Sequence, residues 1–200
     1  MKLELKMFTF QGSPVYLKLW FLLLFAWLSP TIVVTLFASV LLHELAHAFV
    51  ANRLGYRVRQ IYVDIFNGAA EIDLDHCPER DLIRIVAAGP LINFFLAMLS
   101  LLLYPYTGFE FFGELFIVNI LLSIFNIIPI FPMDGGRILR AFLMMKMKSN
   151  RRLAKRISDW VSLSFSILLL IYSLFSLSYL LLIFTLFFIY IALKELEFVK

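Results

Sequence analysis

Two histidines and a glutamate occur at a spacing that can bind and use a metal ion. The run His43-Glu44-Leu45-Ala46-His47 lies inside an apolar segment of the chain. On an α-helix, residues four apart project from the same face, so the two imidazoles can bind one Zn²⁺ while the glutamate lies beside the ion. The pattern predicts a hydrolytic zinc site with His43 and His47 as ligands and Glu44 as the catalytic base.

A third ligand is expected, because catalytic zinc sites usually have three protein ligands and one open position. The remaining histidine, His76, lies in a loop, whereas Asp134 follows a proline-containing segment and precedes two glycines within an apolar region. Prolines end helices and glycines permit irregular backbone, so this segment can turn a carboxylate inward at membrane depth. Capping of the next helix is the alternative role for Asp134, but the histidine pair favours its role as a zinc ligand.

The two motifs together resemble the site-2 protease family of intramembrane metalloproteases. The second motif runs from Asn126 to Gly135 in the pattern Asn-x-x-Pro-x-x-Pro-x-Asp-Gly. The resemblance implies that His43, His47 and Asp134 bind one zinc ion and that Glu44 activates water. It also implies that Asn126 positions the substrate or stabilises the oxyanion.

Two further segments match the family, Phe66 to Glu71 and Ala88 to Asn93. The resemblance as a whole covers about residues 35–140. Within the family the chain is most similar to the compact sporulation type that processes a pro-sigma factor. The resemblance implies hydrolysis of peptide bonds in transmembrane or membrane-associated proteins, within or near the bilayer. The expected partners are such a substrate, the lipid bilayer and a regulatory membrane protein.

The composition places the chain in a membrane. Hydrophobic residues make up 62% of the 200 residues and charged residues 16%, whereas soluble proteins have roughly 45–50% and about 25%. This length allows one membrane-embedded domain over residues 1–200, with its core at 31–147. The single cysteine, Cys77, excludes an intrachain disulfide.

Six apolar runs predict an all-α polytopic membrane protein with about six transmembrane helices; they are residues 15–28, 31–51, 85–104, 111–130, 157–175 and 177–194. The first run lacks a small-residue cleavage site, so we expect a retained helix and not a signal peptide. It is followed by Ser29-Pro30, and proline is tolerated in the first turn of a helix, so the second span should begin there.

Residues 56–75 predict a small membrane-associated β-hairpin. Apolar and polar residues alternate around the turn signal Asn67-Gly68; the apolar ones are Val58, Ile61, Val63, Ile65 and Ile72. An extended substrate segment added to the hairpin edge would expose its peptide bonds, as strand addition does elsewhere.

The basic residues predict the orientation in the membrane. If the amino terminus is cytoplasmic and six spans alternate, all 18 Lys and Arg residues fall on one side, as the positive-inside rule requires. Both termini should then be cytoplasmic, in a multi-pass protein of the cell (inner) membrane. Topology thus accounts for the net charge of +4, and we expect no nucleic-acid partner.

The sequence alone is compatible with two other functions. A membrane metal or ion transporter would use similar polar residues, but along a path across the bilayer. An inactive binding protein of the same family would keep the motif without catalysis. Gly89-Pro90 suggests close helix packing, and Asn93, one turn later on the same face, could form a hydrogen bond near the zinc site.

Overall fold

The computed structural model describes residues 4–64, 69–177 and 179–197. It divides into two compact units. The first comprises Met1–Cys77 and Ala87–Ile124, and the second Pro78–Val86 and Phe125–Lys200.

A four-stranded sheet begins the first unit. Its strands lie in chain order, and they are β1 (Glu4–Phe10), β2 (Ser13–Lys18), β3 (Val58–Val63) and β4 (Ala69–Ile72). β1 and β2 form an antiparallel hairpin, β2 and β3 are parallel, and β3 and β4 are antiparallel. Because β3 has a partner on each side, β1 and β4 are the two edge strands.

The predicted hairpin at 56–75 is confirmed as β3 and β4, but it is half of a larger sheet. Its predicted turn, with Asn67-Gly68, lies outside the described residues. The amino-terminal hairpin was not predicted, although Gln11 and Gly12 have positive φ angles of 47° and 86°, a conformation typical of tight hairpin turns. The hydroxyl of Ser13 donates to the Val58 carbonyl at 2.8 Å and joins the two hairpins.

The prediction of one helix over 15–28 is wrong. Residues 13–18 form β2, which pairs with β3 through residues 15–17, and a 3₁₀ helix follows at Leu19–Ala26. The apolar run has no interruption that distinguishes strand from helix, and pairing with β3 satisfies the backbone of its first part. The 3₁₀ helix lies against the next helix, where the rings of Phe21 and Phe37 pack edge to face at 5.7 Å.

Helix α1 (Pro30–Arg53) begins where the sequence predicts. Ser29 is its N-cap residue and accepts from the Ile32 N–H at 3.3 Å, and Pro30 is the first helical residue. Its 24 residues rise about 36 Å, which exceeds the roughly 30 Å of bilayer hydrocarbon. The helix packs on β3 and β4, and Asn52 in its last turn donates to the turn between β1 and β2 at 2.7 Å, so the sheet lies at the carboxyl-terminal end of the helix.

Within the described residues, four helices are long and apolar enough to cross a membrane; they are α1, α2 (Glu79–Thr107), α3 (Glu110–Ile127) and α5 (Arg151–Phe175). Large side chains such as Leu91 and Leu102 on α2 are more than 60% exposed. An exposed apolar surface of this kind fits contact with lipid. The last predicted span is helix α6 (Tyr179–Glu197), which is not among these four.

The second unit is built from helices. α4 (Asp134–Lys146) packs on α5, and α5 packs on α6. Arg140 of α4 pairs with Asp159 of α5 at 2.7 Å and with Glu195 of α6 at 3.3 Å. Its guanidinium also lies 4.1 Å from the centroid of the Phe131 ring. These contacts join the helix that carries Asp134 to both of its neighbours.

Candidate metal centre

Helix α1 brings His43, Glu44 and His47 together. Their ligand atoms lie within 4.8 Å of one another, and the imidazole centroids are 4.7 Å apart at an interplanar angle of 85°. All three side chains are at most 6% exposed. The predicted helical spacing is therefore realised in a site that excludes bulk water.

Helix α2 passes close to both imidazoles at Gly89. A Cβ atom built there would lie 2.5 Å from His43 Nε2 and closer still to His47 Nε2. Both Nε2 atoms thus lie against α2 at the position where any other residue would have its side chain. The close packing predicted for Gly89 is confirmed, and its partners are the two proposed ligand rings.

This donor set fits zinc. Two imidazole nitrogens converge, and a carboxylate lies next to them, which is the chemistry that zinc and related divalent metals favour. Burial also keeps competing water away from the donors. The cluster is therefore compatible with zinc, as the sequence predicts.

Asn93 contacts His43 directly. The distance from His43 Nδ1 to Asn93 Oδ1 is 2.5 Å, and Asn93 is fully buried. The amide oxygen can only accept, so Nδ1 carries the proton and Nε2 keeps its lone pair. The hydrogen bond that the sequence suggested for Asn93 is present, and it orients a proposed metal ligand.

Glu44 reaches the sheet. Its Oε2 accepts from the main-chain N–H of Ala70 in the edge strand β4 at 3.1 Å. Ala70 is opposite Ile61 of β3 in the register of the sheet. The proposed catalytic base therefore lies beside the edge of the sheet, a relation that the sequence alone did not define.

Asp134 and Asn126 belong to the second unit. Asp134 is 6% exposed and is the first residue of α4, whose N-cap is Met133 without a side-chain cap. The alternative role of Asp134 as N-cap is therefore wrong. Asn126 lies in the last turn of α3. The roles of Asp134 and Asn126 at the zinc site stay predictions.

The glycines after Asp134 act through close approach. A Cβ at Gly135 would collide with the main chain of Ile127 and Ile128, and one at Gly136 would lie 2.5 Å from main-chain atoms of Ile130 and Phe131. Both glycines have helical backbone, so the irregular backbone expected from the sequence does not explain why glycine occupies these positions. They let the first turn of α4 pack against the proline-containing segment.

His76, the alternative third ligand, is exposed in a turn with a φ of 61° and is not part of the described cluster. A separate polar cleft of about 420 Å³ is lined by Gly12, Arg57, Val58, Arg59 and Asp73. There the Arg59 guanidinium donates to Asp73 at 2.9 Å, and this hydrogen bond lowers the pKa of Asp73. The cleft contains none of the predicted site residues.

Comparison with known proteins gives one family. The model of peptidase family M50 matches residues 31–109 and 105–172. A zinc metalloprotease of Methanocaldococcus jannaschii is 31% identical over 199 residues, which cover 89% of this chain and 56% of that protein. Stage IV sporulation protein FB of Bacillus subtilis is 30% identical over 65% of this chain and 46% of its own length. The chain thus spans about half the length of these curated relatives.

A solved structure is similar over nearly the whole chain. It is the site-2 protease from Methanocaldococcus jannaschii, with a TM-score of 0.73 and 30% identity. The match covers 96% of this chain and 94% of that one. The similarity therefore includes the sheet and the helices of both units.

Proposed function

Because the chain belongs to peptidase family M50, we propose that it is a site-2-type intramembrane zinc metalloprotease that hydrolyses peptide bonds of transmembrane or membrane-associated proteins within or near the bilayer. One observation carries the proposal. His43, Glu44 and His47 form a buried cluster in a helix long enough to span the membrane. A single domain over residues 1–200 is part of the proposal.

The histidines hold the metal through Nε2, and Asp134 completes the ligand set. Zinc bound there supplies a Lewis acid that polarises a peptide carbonyl and acidifies water. The role of Asp134 is supported by its buried carboxylate and by its place in the family motif. Asn126, the first residue of that motif, positions the substrate or stabilises the oxyanion.

Glu44 acts as the general base. Its carboxylate accepts a proton from water and returns it to the departing amine. The Ala70 N–H holds one carboxylate oxygen at the edge of the sheet. Glu44 lies between the two proposed ligands on the same helix, and this position keeps its carboxylate next to the reacting groups.

The substrate binds as an added strand on β4. The Ala70 N–H on this edge strand donates to Glu44, so a peptide extended along the edge would pass the base. Of the apolar residues of the predicted hairpin, Val63 lies in β3, which is paired on both sides, and Ile65 is outside the described residues. The strand to test is therefore β4.

The chain is an integral membrane protein, and we place it in the cell membrane with both termini cytoplasmic. In the first unit, Lys18 of β2 pairs with Asp64 at 3.4 Å, Arg59 lies in β3, and Arg57 directly precedes β3. The turn between α2 and α3 is instead flanked by the exposed Tyr106 and the acidic Glu110. This charge asymmetry supports a cytoplasmic sheet.

A cleavage assay tests the function. Purified protein in lipid nanodiscs is incubated with a panel of membrane-embedded candidate substrates, before and after removal of metal by a chelator, and again after zinc is added back. We expect cleavage that chelation abolishes and zinc restores. Chelator-insensitive cleavage, or metal transport into liposomes without cleavage of any substrate, would contradict the proposal.

A further inference from the structure

We propose that Asn119 is a positioning residue that determines, through Asn93, which nitrogen of His43 faces the metal. The inference rests on the proposed zinc site. It concerns residues on three helices of the first unit, since Asn93 lies on α2, Asn119 on α3, and His43 and Ser39 on α1. All four side chains are at most 6% exposed.

The contacts form one chain of hydrogen bonds. Asn93 Oδ1 contacts His43 Nδ1 at 2.5 Å, and Asn93 Nδ2 donates to Asn119 Oδ1 at 2.7 Å. Asn119 Nδ2 in turn donates to Ser39 Oγ at 2.9 Å and to the Leu115 carbonyl at 2.9 Å. The Ser39 carbonyl accepts a longer bond of 3.4 Å from Asn93 Nδ2.

Two main-chain carbonyls set the direction of this chain, because a carbonyl can only accept. The Leu115 carbonyl requires the NH₂ group of Asn119 on its side, so the Asn119 oxygen faces Asn93. That oxygen, together with the Ser39 carbonyl, requires the NH₂ group of Asn93. The Asn93 oxygen is then the atom that faces His43.

The direction fixes the tautomer of the imidazole. An oxygen facing Nδ1 requires the proton on Nδ1, so Nε2 keeps the lone pair that a metal ion needs. If either amide were rotated, donors would face donors and acceptors would face acceptors. Burial leaves no bulk water to replace the lost hydrogen bonds. Ser39 lies one turn before His43 on the same face of α1, so the chain also fixes the position of α1 relative to α2 and α3 within this unit.

The matched control is Ser123. It lies one turn after Asn119 on α3, is 2% exposed and donates to the Pro90 carbonyl of α2 at 3.0 Å. It therefore resembles Asn119 in helix, burial and contact with α2, but its hydrogen bond does not lead to His43. A generic packing role predicts similar effects at both positions, whereas the proposal predicts different ones.

The experiment measures zinc affinity by competition with a chromophoric chelator and the His43 tautomer by ¹⁵N-histidine NMR of the metal-free protein. Loss of an outer-shell partner typically lowers metal affinity on the order of 10–100-fold. We expect about 10-fold for Asn119→Leu, about 100-fold for Asn93→Leu, and less than about twofold for Ser123→Ala. In Asn119→Leu, the His43 signal should change from one tautomer to a mixture.

Parent-like affinity with a single His43 tautomer in Asn119→Leu would overturn the inference, as would an equal loss in Ser123→Ala. Asn119→Ala removes the same amide without adding a branched side chain, and it replaces Asn119→Leu if that protein is not monodisperse. Neither readout needs a substrate, so a protein that cleaves nothing still tests this inference. A parent protein without affinity for zinc contradicts the proposed function, and the NMR comparison then decides the role of Asn119.

Discussion

Replacement of Gly89 by alanine should disable the metal site while leaving the fold intact. The new Cβ would lie 2.5 Å from His43 Nε2 and 2.6 Å from His43 Cε1, whereas ordinary contact begins near 3.4 Å. The rings or α2 must therefore move by about 1 Å. Misplacement by 1 Å can reduce activity by about 100-fold, and overpacking costs about 1–3 kcal/mol of stability.

Zinc content after gel filtration, zinc affinity by chelator competition and thermal unfolding of the metal-free protein measure these effects. We expect affinity for zinc to fall and cleavage to drop on the order of 100-fold. Gly113→Ala is the matched control, because its Cβ would lie 3.5 Å from Tyr104, and a helical Gly→Ala change there should increase stability by about 0.5–1 kcal/mol. If Gly89→Ala binds zinc and cleaves substrate like the parent protein, the two imidazole rings do not pack against Gly89 as described.

The remaining predictions concern the third ligand, the substrate edge and the topology. Asp134→Ala should lower zinc occupancy because two histidines leave the ion under-coordinated; the ligand assignment fails if His76→Ala empties the site and Asp134→Ala does not. Ala70→Pro removes the N–H that donates to Glu44 at the β4 edge and should impair cleavage with normal zinc content, whereas Ala70→Ser should cleave normally. Equal cleavage by both variants would argue against a role of the β4 edge in cleavage. A reporter fused after Lys200 should register the cytoplasm, and an external signal would contradict the proposed orientation.

The sequence predicted the cluster of His43, Glu44 and His47 better than the first 30 residues of the fold. His43, Glu44 and His47 could be assigned because helical spacing alone brings residues i and i+4 to one face. The 15–28 run was misassigned because its apolar residues suit a strand or a helix equally. Its pairing with β3 depends on residues more than 40 positions later, and local periodicity contains no information on such a partner.

The residues that contact the proposed site could be predicted only in part from the sequence. Asn93 was suggested by its position one turn after Gly89, and Asn119 could have been suspected because a buried amide in an apolar helix requires a partner. Sequence cannot show that Asn119 contacts Asn93, nor that Ala70 contacts Glu44. Those contacts depend on how three helices and an edge strand pack, which no local signal encodes.

Glu44→Gln provides the most direct test of the central claim. Glutamine keeps the size of the side chain but cannot accept a proton from water, so the variant should bind about one zinc per chain and cleave no membrane substrate. Zinc content and cleavage are measured on the same nanodisc preparation, with the parent protein as reference. Cleavage at the parent rate with zinc bound, or loss of zinc from the variant, would contradict the assignment of Glu44 as the base of a zinc protease.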